Sequence, residues 1–159
     1  MSPSHQAKIY NVIIIGARGV GKTALVRNLA GKNFDFRYVA THNTTINQVT
    51  FSNVKFNILD CPGQKNNLHF AQTDAVIAMF DLDSKLSYRN LLKWIEFLQS
   101  VCDKDIPVIV CGNKCDILNH KVKADEVSTK YVNISTKTGK NCEKPFLILA
   151  NHFRFKMII

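Results

Sequence analysis

Residues 16–23 constrain the fold more than any other part of this sequence. They read GARGVGKT, which fits the GxxxxGK[ST] pattern, and they follow an apolar β-branched run and open a helical pattern. In that context the glycines turn backbone N–H groups toward phosphate oxygens, and the helix N-terminus adds partial positive charge. Residue frequencies put a chance match at roughly one chain in a hundred or fewer, so a glycine turn without a ligand explains the motif poorly.

The motif predicts a role for each polar residue of the loop. Lys22 is expected to neutralise the β- and γ-phosphates, and the Thr23 hydroxyl is expected to ligate Mg²⁺. The predicted nucleotide-binding residues of this segment are Gly16, Arg18, Gly19, Val20, Gly21, Lys22, Thr23 and Ala24.

Apolar β-branched runs alternate with helical patterns along the chain. The predicted strands are 9–15, 46–51, 54–59, 75–80, 108–111 and 131–134, and the predicted helices are 22–30, 86–102 and 142–153. Ser52 and Asn53 separate the second and third strands and indicate an antiparallel hairpin at one edge. This order predicts an α/β fold with a mostly parallel six-stranded sheet, one antiparallel edge strand and helices on both faces.

One helical pattern also predicts which residues are buried. In helix 86–102 the residues expected on one core-facing side are Leu91, Leu92, Ile95, Leu98 and Cys102.

Length and composition indicate one soluble domain. The 159 residues, 46% of them apolar, allow one core, and we predict a polar segment at 1–8, a single domain at 9–155 and a short end at 156–159. No apolar stretch approaches the roughly 20 residues of a membrane span, and the amino terminus lacks a secretory core. The five cysteines, odd in number and set in apolar runs or motif loops, are expected to be reduced.

The net charge of +9 is compatible with nucleic acid, an anionic membrane or an acidic protein as partner. The lysines are dispersed, with a loose cluster only at His120, Lys121 and Lys123. Since no basic motif is interleaved with aromatic residues, direct nucleic-acid binding is not expected.

A second motif, DCPGQ, follows the strand at 54–59. Asp60 can hold Mg²⁺ through water, and Gly63 can offer its N–H to a γ-phosphate. Gln64 can orient an attacking water, which makes it the predicted catalytic residue.

The third motif, NKCD, emerges at the carboxyl end of another predicted strand, where α/β folds bind ligands. The Asp116 carboxylate can accept hydrogens from N1 and the exocyclic N2 of guanine, and adenine has no such pair of donors. Asn113 would brace the loop, while the Lys114 stem would lie across the base. A fourth loop, formed by Ser135, Thr136 and Lys137, is expected to give a backbone N–H to guanine O6.

These motifs, in this order, resemble the Ras superfamily of small GTPases over about residues 9–153. Within it the sequence is most similar to the Ran subfamily, the GTPases of nuclear transport. The segments that carry this likeness are 37–41 (RYVAT), 54–60 (VKFNILD), 78–81 (AMFD), 106–108 (IPV), 111–114 (CGNK), 120–123 (HKVK) and 143–147 (EKPFL).

The resemblance implies a P-loop G domain that binds GTP or GDP with Mg²⁺. It implies that Thr41 ligates Mg²⁺ and senses the γ-phosphate, that Phe34 packs against the base and that Tyr38 lies over the phosphates. Thr44 and Thr45 are alternatives to Thr41. Expected partners are importin- and exportin-type carriers, an exchange factor and a GTPase-activating protein, and the expected location is the nucleus and cytoplasm.

The sequence also departs from the family pattern. The segment after Gln64, called switch II in this family, is short, the stretch between Asp116 and Tyr131 is shorter than in the Ran subfamily, and the acidic tail of that subfamily is absent from this sequence. Pro62 replaces a usual alanine and removes an N–H. Arg18 stands where glycine is common, and its side chain would crowd Gln64 and an activating arginine. These departures predict slow hydrolysis.

Two alternatives remain open from the sequence. One is a Rab- or Ras-like trafficking or signalling GTPase; such proteins usually need a lipid anchor, and we expect none here because the sequence has no CaaX cysteine and has Ser2 where myristoylation requires glycine. The other is a module that binds nucleotide without hydrolysing it.

Overall fold

The computed structural model describes residues 8–31, 45–60, 72–102, 105–123 and 130–157. The strands in these ranges are β1 (Ile9–Ile15), β2 (Thr45–Phe51), β3 (Val54–Asp60), β4 (Ala75–Asp81), β5 (Val108–Asn113) and β6 (Tyr131–Asn133). The helices are α1 (Lys22–Leu29), α2 (Lys85–Val101) and α3 (Lys144–Lys156). The predicted boundaries differ from these by at most three residues.

The six strands form one sheet in the order β2-β3-β1-β4-β5-β6. β2 pairs antiparallel with β3, and the other neighbours in the sheet are parallel. The predicted fold class is therefore confirmed. At the β2–β3 turn, Ser52 and Asn53 have φ values of 49° and 63°, which is the left-handed pair that a two-residue hairpin turn requires.

The sheet is covered on both faces, which explains the nearly continuous apolar runs of its central strands. On one face Val12 and Ile14 of β1 pack in a cluster with Leu25 of α1 and Phe146 of α3. On the other face Ile13 belongs to a cluster formed with α2. Both faces of β1 are thus fixed by packing, and the loop that follows this strand starts from a rigid support.

The buried side of α2 differs from the prediction at one position. Leu91 and Leu98 are buried as expected, but Leu92 is 44% exposed and Trp94 is 4% exposed. Residues 91, 94 and 98 follow helical spacing, and a residue next to Leu91 is rotated by about 100° away from the core. The prediction for Leu92 was therefore wrong, and Trp94 is the core residue that it missed.

None of the helices in the described ranges has the length and apolar character of a membrane span. Cys111, Cys115 and Cys142 are free thiols, as predicted, whereas Cys61 lies outside the described residues. Of the predicted polar segment at 1–8, the structure describes Lys8 alone.

Candidate functional site

The predicted motifs meet at one edge of the sheet. Parallel strands have their carboxyl ends on the same side of the sheet, so β1, β3, β5 and β6 all end there. The phosphate-loop motif follows β1, Asp60 is the last residue of β3, the segment from Asn113 to Asp116 begins at the last residue of β5, and the segment from Ser135 to Lys137 follows β6.

Two glycines allow the phosphate loop to pack closely against its neighbours. Gly21 has a φ of 106°, and a Cβ placed on it would lie under 3.0 Å from the Asn113 side-chain nitrogen. A Cβ on Gly16 would also lie under 3.0 Å from the Met79 carbonyl oxygen. Val20 is buried, whereas Arg18 and Gly19 lie exposed at the tip of the loop. The first and last glycines of the motif are therefore required by contacts as well as by conformation.

Lys22 is only 7% exposed although it carries a charge. Its Nζ donates hydrogen bonds to the Gly16 and Ala17 carbonyl oxygens, each at 2.9 Å. These bonds hold the ammonium group against the loop and orient it. A cation held in this way beside the amino end of α1 is suited to bind phosphate.

Thr23 and Asp60 form the adjoining oxygen pair. Thr23 Oγ1 donates to Asp60 Oδ2 at 2.6 Å. Asp60 is 1% exposed, and its Oδ1 has no hydrogen-bond partner within the described part of the chain. Burial raises the pKa of Asp60 above 3.8, although the Thr23 hydrogen bond and the Lys22 charge act in the opposite direction.

This oxygen pair fits a magnesium ion. A buried carboxylate oxygen without a partner is costly in a folded protein, and a divalent cation or its bound water would satisfy it. Hydroxyl and carboxylate oxygens are the ligands that Mg²⁺ prefers. Thr23 and Asp60 are thus the described residues that could hold the ion, directly or through water.

Asn113 joins the phosphate loop to the loop after β6. Its Nδ2 donates to the Val20 carbonyl oxygen at 2.8 Å and to Thr136 Oγ1 at 3.1 Å. Its Oδ1 accepts from the Thr136 backbone N–H at 3.0 Å. Because Asn113 is 1% exposed, these bonds are shielded from water, and the three loops form one connected unit.

The Asp116 side chain is held in a defined orientation while it stays accessible. Its Oδ1 accepts from Ser135 Oγ at 2.7 Å, and the same hydroxyl oxygen accepts from the Thr138 N–H at 3.1 Å. Asp116 itself is exposed at the edge of the site. A carboxylate fixed in this way can accept two hydrogens from a flat ligand such as guanine.

Two of the three backbone N–H groups considered for guanine O6 already donate within the protein. The Ser135 N–H donates to the Lys140 carbonyl oxygen at 3.0 Å, and the Thr136 N–H donates to Asn113. Lys137 lies exposed beside them.

Lys114 has a partner that the sequence reasoning did not assign. Its Nζ lies 2.5 Å from Asp81 Oδ2, at the carboxyl end of β4. Asp81 stands opposite Asn113 in the β4–β5 register. An acidic residue at the end of the strand next to the NKCD strand was a usable signal, but it depended on knowing that β4 and β5 are neighbours.

Five predicted residues lie outside the described ranges: Phe34, Tyr38, Thr41, Gly63 and Gln64. Thr44 and Pro62 lie outside them as well, while Thr45, the other alternative to Thr41, is the exposed first residue of β2. Among the described residues, the structure brings together Asp60 and the predicted residues of three loops: the phosphate loop, the NKCD loop and the Ser135–Lys137 loop. These are residues predicted to contact the phosphates, the base and the metal.

The family model of the Ras family matches residues 11–154 of this sequence, which include every described residue of the candidate site.

Proposed function

The chain belongs to the Ras family of small GTPases, and we propose that it is a guanine-nucleotide switch whose GTP form binds an importin-type carrier. Ras-family proteins bind GTP or GDP, typically with Mg²⁺, and hydrolyse GTP. The observation that carries the nucleotide part of the proposal is the meeting of Lys22, the Thr23–Asp60 pair and the Asp116–Ser135 pair at one sheet edge.

The predicted site residues have the following roles in this proposal. Lys22 binds the phosphates, and Asp116 accepts the two guanine hydrogens in the orientation that Ser135 imposes. Thr23 and Asp60 would hold Mg²⁺, which would neutralise phosphate charge when bound. The Lys114 stem covers the base, and Asn113 keeps the phosphate and base loops in register. The remaining roles are assigned by likeness to the family. Gln64 orients the attacking water, and Thr41 and Gly63 contact the γ-phosphate. Phe34 and Tyr38 enclose the nucleotide.

Base selection is tested by competition. Labelled GDP bound to the protein should be displaced by GTP and not by ATP at the same concentration, because adenine leaves the Asp116 carboxylate without its paired donors. Equal displacement by ATP would remove the guanine assignment.

The transport role rests on the Ran-like segments of the sequence. A protein of this kind shuttles between nucleus and cytoplasm, is reloaded by an exchange factor and is returned to the GDP form by an activating protein. The net charge of +9 suits acidic carrier surfaces. Binding to a carrier must differ between the GTP and GDP forms, since a ligand with equal affinity for two states shifts nothing.

Two measurements test the transport role. The first is a pull-down from cell extract with the protein loaded with GDP or with a non-hydrolysable GTP analogue, read by mass spectrometry. The second is the equilibrium affinity of an importin-type carrier for both loaded forms, with Thr41→Ala as the control for γ-phosphate sensing. Equal affinities, or recovery of trafficking effectors in a membrane fraction, would replace the transport role with a Rab- or Ras-like one.

A second candidate, a nucleotide-binding module without hydrolysis, is favoured by Arg18. This large cationic side chain lies exposed in the phosphate loop, where glycine is common in the family. We expect slow hydrolysis and a poor response to an arginine-supplying activator. The test compares single-turnover GTP hydrolysis by the wild type and by Arg18→Gly. The glycine variant should hydrolyse GTP faster. Equal hydrolysis rates with activator present would mean that Arg18 does not obstruct the reaction.

A further inference from the structure

We propose that Asp81 is the positioning residue that holds Lys114 across the guanine base and thereby slows nucleotide release. The inference rests on the proposed nucleotide site and adds to it a residue from β4, outside the four loops that carry the motifs. It is argued from the Asp81–Lys114 ion pair and from the contacts that fix each of its two members.

Asp81 is fixed from several directions before it meets Lys114. Its Oδ1 accepts the Asp83 backbone N–H at 2.8 Å, and its own N–H donates to Ser87 Oγ at 2.9 Å. Its carbonyl oxygen accepts from the Ser84 N–H at 2.9 Å. Ser84 is also the residue that caps α2, through its bond with the Ser87 N–H. The carboxylate orientation is therefore set by the turn between β4 and α2.

The backbone beside Lys114 is held on the β6 side of β5, away from Asp81 on β4. The next residue, Cys115, donates its N–H to the Ile134 carbonyl oxygen at 3.0 Å, which ties the loop to the segment after β6. Lys114 has a φ of 67°, a left-handed conformation that a residue with a side chain adopts at a cost. With its backbone tied toward β6 and its ammonium group tied to Asp81, the methylene stem runs from the carboxyl end of β5 toward that of β4.

The position of this stem matters for the ligand. Asp116, the residue proposed to select the base, lies on the same loop as Lys114. A stem in a fixed position would therefore offer an apolar surface on which the base can pack. The side chains of Lys114 and Asp81 are 37% and 14% exposed, so the pair is partly shielded from water and stronger than a fully exposed ion pair. Without the carboxylate the lysine side chain gains rotamers, and the bound base loses that surface.

The test compares Asp81→Asn with wild type in the rate at which the full chain releases fluorescent GDP. The amide oxygen can still accept the Asp83 N–H, but the uncharged side chain cannot form an ion pair with the ammonium group. We expect release to become roughly five- to tenfold faster, the effect of one partly shielded ion pair. Asp81→Glu, which keeps the charge, should restore most of the slow release.

A matched control is available two residues away. Asp83 pairs with Lys121 at 3.2 Å on the surface. Asp83→Asn removes an ion pair from the same turn and leaves the backbone N–H that Asp81 uses. We expect its GDP release to equal that of the wild type, which separates an effect on Lys114 from a general effect of removing negative charge.

A double-mutant cycle shows whether Asp81 acts through Lys114. In a Lys114→Met background, Asp81→Asn should change GDP release by less than twofold. The ratio of GDP to inosine diphosphate affinity should stay at the wild-type value in Asp81→Asn, because Asp116 is untouched.

Three results would overturn the assignment. They are additive effects in the cycle, wild-type release from Asp81→Asn, and equal acceleration in Asp83→Asn. A wild-type protein that retains no GDP at all would instead refute the proposed nucleotide site, so the two failures are distinguishable.

Discussion

Asn113→Ala should lower the stability of the nucleotide-free domain and also speed the release of bound nucleotide. The substitution removes three shielded hydrogen bonds, two donated by Nδ2 and one accepted by Oδ1. A shielded bond contributes about 0.5–1.5 kcal/mol net, and the Val20 carbonyl and the Thr136 N–H are left without this partner. We therefore expect the free energy of unfolding to fall by about 3 kcal/mol, which corresponds to a Tm lower by ~6–12 °C for a domain of this size.

The assay for Asn113→Ala has two readouts. Urea unfolding in nucleotide-free buffer measures the loss of stability, and fluorescent GDP release measures the loosening of the phosphate and base loops. Both should change, because Asn113 is the residue that bonds to both loops. A free energy of unfolding within about 0.5 kcal/mol of wild type would refute the reasoning, since surface substitutions commonly reach that value.

Asn57→Ala is the matched control for Asn113→Ala. Asn57 is also a strand asparagine with hydrogen-bonded side-chain atoms, to Asn11 and Gln48, but its partners lie on β1 and β2. The alanine variant should lose some stability and should release GDP at the wild-type rate. Accelerated release from this variant as well would mean that GDP retention follows global stability, and the Asn113 bridge would lose its special role.

Three further predictions concern the base loop, the phosphate loop and α3. Asp116→Asn should shift preference from guanine toward xanthine nucleotides in competition, because an amide can donate to the additional xanthine oxygen; unchanged preference would contradict the role of Asp116. Gly21→Ala should abolish GDP retention, whereas Gly31→Ala should keep it. Both glycines have a positive φ, but a Cβ on Gly21 meets Asn113 and a Cβ on Gly31 meets nothing within 4 Å. Equal GDP retention by the two variants would contradict this prediction. Burial and the charges of Lys156 and Lys130 lower the pKa of His152 below 6.5, so the unfolded chain binds more protons below pH 6.5 and stability falls as the pH drops. The Tm of His152→Leu relative to that of wild type should therefore rise from pH 7 to pH 5, and a constant Tm difference would refute the reasoning.

Much of the site could be predicted because its chemistry is local in sequence. The phosphate loop, Asp60 and the NKCD segment each follow a strand, and the carboxyl ends of parallel strands must meet at one edge. The bracing role of Asn113 followed from the chemistry of an amide. The guanine-accepting role proposed for Asp116 followed from the chemistry of a carboxylate. The structure adds the partners that make each role possible, such as Ser135 for Asp116.

The features that could not be predicted depend on which elements are neighbours. Asp81 meets Lys114 only because β4 and β5 are adjacent in register, and neither motif nor periodicity states that adjacency. For a related reason the sequence did not show that Trp94, and not Leu92, is buried in the core. Several apolar residues of α2 fit a helical face, and the exact rotation of the helix against the sheet selects among them.

Discrimination between GTP and GDP must come from groups other than those of the base loop. Guanine is the same in both nucleotides, so Asp116, Ser135 and Lys114 contribute equally to both and cannot shift a conformational equilibrium. A carrier that prefers one form a hundredfold needs about 2.7 kcal/mol of differential interaction. By likeness to the family this would arise at Thr41 and Gly63, which contact the γ-phosphate. Substitutions at Asp81 or Lys114 should therefore change how long a nucleotide is retained and should leave unchanged the preference of any partner that distinguishes the GTP form from the GDP form.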